Sequence, residues 1–77
     1  MGFHKRYIST EQVCSRYRTE GMQAVIDWID SADAIICTDQ FTMDLTDLLN
    51  LPGDKTSIWN RASEMVSKKS LEIEKVS

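Results

Sequence analysis

No lysine or arginine occurs between Thr19 and Asp54. The same stretch holds eight acids: Glu20, Asp27, Asp30, Asp33, Asp39, Asp44, Asp47 and Asp54. Contacts to phosphates supply most non-specific nucleic-acid affinity, and a surface built from this stretch has no cation with which to make them. With one proline and three glycines, the chain has few built-in breaks, which favours helices over a turn-rich sheet protein. The two cysteines form neither a metal pattern nor a disulfide framework. Cys14 beside Val13, and Cys37 beside Ile35 and Ile36, read as free buried thiols, with a single disulfide as the other reading. No apolar run approaches the ~20 residues that span a bilayer. Residues 1–6 lack a signal-peptide core, and no serine or threonine stands where a myristoylation signal needs one. A reducing, cytoplasmic setting is the expectation, with no membrane partner.

The parts of an active site are missing as well. The only histidine, His4, sits in a basic terminal segment, and no serine or cysteine has a base at a recognisable spacing. General acid–base chemistry needs a desolvated pair in a cleft, which a chain of 77 residues hardly encloses. Asp39, Asp44 and Asp47 do not follow the spacing of a calcium loop, and a solvated acidic face explains them better than a metal site. No enzyme, metal or cofactor is expected.

What is present is a charge pattern. Residues 1–18 carry +3, residues 19–54 carry −8 and residues 55–77 carry +2, which together give the net −3. Such asymmetry steers cationic partners in and keeps polyanions away. Hydrophobic residues make up 42% of the chain and charged residues 27%, the profile of one ordinary globular domain. That domain is expected over residues 1–70, with 71–77 a fraying tail.

Ser9-Thr10-Glu11-Gln12 is a capping box, with Ile8 and Val13 placed as its hydrophobic staple. It opens a first helix to about Arg18 that buries Val13, Cys14 and Tyr17. Met22, Val25, Ile26 and Ile29 recur at helical spacing in a second helix that starts at Thr19, Glu20 or just beyond. Ala34 to Cys37 is β-branched and apolar, either a brief strand or a buried extended linker. Thr38-Asp39 or Thr42 caps a third helix carrying Phe41, Leu45, Leu48 and Leu49. Pro52 and Gly53 end it, and a fourth runs from about Thr56 with Ile58, Ala62, Met65 and Val66 inward. The leucines of Leu45-Thr46-Asp47-Leu48-Leu49 are assigned to packing rather than to a docking motif. Trp28 and Trp59 are expected in the core and serve as anchors for a partner only if exposed. The fold class is all-α: a compact bundle of about four short helices, helix-turn-helix-like in one reading, with an extended segment at 34–37.

Ile8-Ser9-Thr10-Glu11-Gln12-Val13, followed by Val25-Ile26-Asp27-Trp28-Ile29-Asp30-Ser31, resembles the small excisionase and MerR-like helix-turn-helix proteins. Asp44-Leu45-Thr46-Asp47-Leu48-Leu49 resembles the short helix that follows the wing in that fold, so the likeness spans residues 8–49. It implies DNA binding with Arg16, Arg18 and Gln23 near the groove, and a wing at Ala34 to Gln40. The chain departs from the pattern at Arg18-Thr19-Glu20-Gly21, where the turn has altered spacing. It departs again on the recognition helix, which offers Glu20, Gln23, Asp27 and Asp30.

Two functions are therefore expected. The first is a small non-enzymatic regulator or adaptor that binds a basic protein through Asp27, Asp30, Asp33, Asp39, Asp44 and Asp47, competing with nucleic acid by mimicking its charge. The alternative is an excisionase-type DNA-binding regulator using Arg16, Arg18 and Gln23. A homodimer is compatible with either, and the small size suits a bacterial or bacteriophage accessory protein.

Overall fold

The computed structural model describes residues 4–76. In chain order its elements are β1 (Lys5–Ile8), α1 (Thr10–Glu20), α2 (Met22–Asp30), β2 (Ala34–Cys37), α3 (Gln40–Leu49) and α4 (Lys55–Val76). Among the described residues, four helices and one short two-stranded sheet make up the fold.

Ser9 caps α1 as its sequence foretells. Its hydroxyl accepts from the Gln12 amide at 3.3 Å, and the Gln12 side chain accepts from the Ser9 amide at 3.0 Å. Ile8, just before the cap, is fully buried. The first helix continues to Glu20 rather than Arg18, and one residue, Gly21, separates it from α2. Gly21 adopts φ 95 and ψ 173, a region essentially closed to side chains with a Cβ. Its N–H donates to the Tyr17 carbonyl at 2.9 Å, and its carbonyl accepts from Val25 at 3.3 Å. Gly21 thus closes one helix and opens the next.

Lys5 and Arg6 of the basic N-terminal segment belong to β1, a strand that the sequence did not announce. It pairs in parallel with β2, Lys5 opposite Ala34 and Ile8 opposite Cys37. Parallel strands need a long crossover, and α1 with α2 supplies it. Asp33 ties down the start of the pair: its carboxylate accepts from the His4 amide at 2.7 Å, and its own amide donates to the His4 carbonyl at 3.0 Å. The stretch that the resemblance makes a wing is therefore β2, half-buried along its length, followed by the cap of α3.

Val13, Met22, Val25, Ile29, Leu45, Ala62 and Val66 form the core, with Tyr17, Trp28, Phe41, Leu48, Leu49 and Met65 packed against it. Ala62, Val66 and Ser70 make the buried stripe of α4, recurring every fourth residue. Asp54 opens α4, its carboxylate accepting from the Thr56 and Ser57 amides at 3.3 Å each. At 22 residues α4 spans about 33 Å, longer than the short helix expected. Residues 71–76, expected to fray, are its last turns, and Glu74 pairs with Arg18 at 3.2 Å. Among the described residues no helix is long and apolar enough to cross a membrane. Cys14 and Cys37 are free thiols.

Candidate functional site

The eight acids of the cation-free stretch divide into two groups of four. Glu20 pairs with Arg16 at 3.0 Å. Asp33 holds β1 and Asp54 caps α4, as described above. Asp39 does the most for the fold. One oxygen accepts from the Thr42 amide at 3.0 Å and meets the Thr42 hydroxyl at 2.9 Å; the other accepts from the Thr10 amide at 2.9 Å. A single carboxylate thereby joins the N-termini of α3 and α1. Partial burial pushes its pKa up, but the bonds from Thr10 and Thr42 outweigh that and hold it at about 2. Asp33 and Asp39, both expected on the binding surface, are thus engaged by the fold, because each lies where an element begins and backbone N–H groups lack partners.

Asp27, Asp30, Asp44 and Asp47 remain. All four are exposed, and none forms an ion pair among the described residues. Two have only a neutral neighbour on their own helix: the Gln23 amide donates to Asp27 at 3.1 Å and the Gln40 amide to Asp44 at 2.9 Å. Helical spacing puts Asp27 beside Asp30 and Asp44 beside Asp47, and the fold brings one member of each pair to a shared hollow. Asp30 and Asp47 line one hollow between α2, β2 and α3, whose apolar lining includes Ile29, Ile35 and Leu49. No lysine, arginine or histidine lines it. The Cys37 thiol lies in the same hollow, 3.2 Å from the Thr46 hydroxyl.

Asp30 and Leu49 also line a second, adjoining hollow with Ile26, Leu51, Ile58 and Trp59. Leu51 is 47% exposed and Trp59 37%. Ile58, expected inward, lies half-buried here, outside the core cluster. The sequence signal for this surface was faint. Leu51 reads as turn material ahead of Pro52, and Trp59 follows the helical spacing of core residues.

Arg16, Arg18 and Gln23 are not brought together. Arg16 stacks over Trp28 at 4.7 Å and bridges to Glu20. Arg18 reaches Glu74 on α4, and Gln23 lines the second hollow while bonded to Asp27. Arg6 stacks on Trp28 as well, at 5.3 Å, so this half-buried tryptophan lies against two guanidiniums. Trp28, expected in the core, is half-buried and packs against it, whereas Trp59 is exposed. Among the described residues no three His, Cys, Asp or Glu side chains gather as a metal-binding group. No family model matches the chain, and no curated protein or solved structure matches it.

Proposed function

We propose that this protein is a small non-enzymatic regulator or adaptor that binds a protein with a basic surface through Asp30 and Asp47, supported by Asp27 and Asp44. One observation carries the reading: two exposed carboxylates, Asp30 and Asp47, line one hollow together with Ile29, Ile35 and Leu49, and no lysine, arginine or histidine lines it. Lysine and arginine of a partner supply the missing charge, which raises the on-rate and sets specificity. Contacts with the apolar lining residues Ile29, Ile35 and Leu49 supply affinity. A basic surface of this kind belongs to proteins whose own ligand is nucleic acid, so the acidic face can compete for it. The excisionase-type alternative is less well supported, because the exposed side of α2 presents Gln23, Asp27 and Asp30.

The test is a pull-down from nuclease-treated bacterial lysate with low- and high-salt arms, using wild type and an Asp30→Asn, Asp47→Asn double variant. A protein retained without nucleic acid, released by salt and lost with the double variant supports the reading. Retention only through DNA refutes it in favour of Arg16, Arg18 and Gln23. Cys37 offers an independent readout. A bound partner should shield it from maleimide, while Cys14 stays silent because it is 1% exposed and burial pushes its thiol pKa up.

A further inference from the structure

The two adjoining hollows share Asp30 and Leu49, which makes them a single trough with different ends. One end is mainly polar, with the carboxylates of Asp30 and Asp47 beside Thr46 and Asn50 and with Ile29, Ile35 and Leu49 among them. The other is mainly hydrophobic, with the exposed side chains of Leu51 and Trp59 beside Ile26 and Ile58. From the charge complementarity of this trough, we infer that its occupant is an amphipathic segment of a partner protein, with a bulky apolar anchor for the Leu51–Trp59 end and lysine or arginine beside it for Asp30 and Asp47. This rests on the acidic-face reading and goes beyond it by naming the anchor and its seat. Water-exposed leucine and tryptophan next to uncompensated acids fit a ligand that is both apolar and cationic; neither a polyanion nor an acidic helix satisfies both ends. The one cation on the trough wall, Lys55, opposes such a ligand. It stands as the first residue of α4, where positive charge also opposes the helix dipole.

The probe is an amphipathic Leu/Lys peptide of about 15 residues, long enough to form helical turns, with Leu/Glu and Ala/Lys counterparts. Binding is followed by tryptophan emission on the full chain, with Trp59→Phe identifying the reporter. The Leu/Lys peptide should bind and shift Trp59 emission to the blue, and both counterparts should fail. Leu51→Ser and Trp59→Ala, at exposed positions, should each weaken binding by roughly tenfold, as loss of an anchor contact does, with variant affinities read by titration calorimetry because Trp59→Ala removes the emission reporter. Lys55→Glu should tighten binding, a gain that misfolding cannot imitate. Should Leu51→Ser, Trp59→Ala and Lys55→Glu all bind as wild type while Asp30→Asn with Asp47→Asn loses binding, the trough inference is overturned and the acidic-face reading stands. Equal binding of the Leu/Glu peptide overturns both. Failure of the Leu/Lys peptide to bind overturns the inference, and a blue shift on raising protein concentration alone does so too, by making a second copy the occupant.

Discussion

Asp39 shows how much one carboxylate can do at a crossing of two helix starts. Its oxygens serve Thr42 on α3 and Thr10 on α1, positions where the dipoles of both helices also favour negative charge. Removing a capping carboxylate costs about 1–2 kcal/mol, so Asp39→Ala should lower the melting temperature by several degrees, measured by circular dichroism at neutral pH. Asp39→Asn should fall between, since its single acceptor oxygen can replace one of the two carboxylate oxygens. The pH dependence has a definite sign. The folded carboxyl titrates at about 2 and its ordinary value is 3.8, so its stabilisation is complete above the ordinary value and is lost as pH falls through about 2. Wild type should lose stability over that window, and Asp39→Asn should be visibly less sensitive there. Gly21 is the other residue on which much depends. A Cβ at Gly21 meets nothing within 4 Å, so Gly21→Ala isolates the backbone strain, about 1–3 kcal/mol, and urea midpoints would measure it. An unchanged midpoint would mean that the joint between α1 and α2 relaxes to another conformation.

At the scale of elements, α2 and α3 each carry an apolar face inward and a pair of aspartates outward. Because none of Asp27, Asp30, Asp44 and Asp47 has an ionic partner among the described residues, neutralising them removes repulsion and no native ion pair. The Asp30→Asn, Asp47→Asn double variant should therefore melt at the wild-type temperature or slightly above it. A fall of several degrees would assign these residues to stability instead. At the start of α4, Lys55→Glu should raise the melting temperature, because an acid there complements the dipole by about 0.3–1 kcal/mol. By contrast, the exposed Arg18–Glu74 bridge joining α1 to the end of α4 contributes at most about 1 kcal/mol.

For the whole molecule, the same acids predict opposite responses of folding and binding to salt. Added salt screens exposed charges, with a Debye length of about 8 Å at physiological ionic strength. Repulsion among the aspartates without an ionic partner among the described residues should weaken, and the Arg16–Glu20 and Arg18–Glu74 pairs lose little. Melting temperature should thus rise between 0.05 and about 0.5 M salt, while affinity for a basic partner falls. Parallel thermal and binding titrations test both. If the two quantities fell together, the acids would be contributing to the fold rather than waiting for a partner.

Local rules carried much of this architecture. The capping box at Ser9, the helical spacing of Met22, Val25, Ile26 and Ile29, and the stop at Pro52-Gly53 depend on neighbours a few residues apart, and each is legible from the chain alone. The charge asymmetry is equally plain, since it is a count. Pairing across long separations was not legible. β1 gains strand character only because β2 lies beside it, 29 residues on, and a four-residue basic segment announces no such partner. Likewise nothing in the spacing of eight acids tells that Asp39 will be claimed by Thr10, or that Asp33 will hold His4. The sequence by itself determined that the middle of this protein is acidic and helical. Only the tertiary structure decided which four aspartates have no ionic partner among the described residues and that two of them line one hollow, because burial and hydrogen-bond partners are set by the elements that pack together.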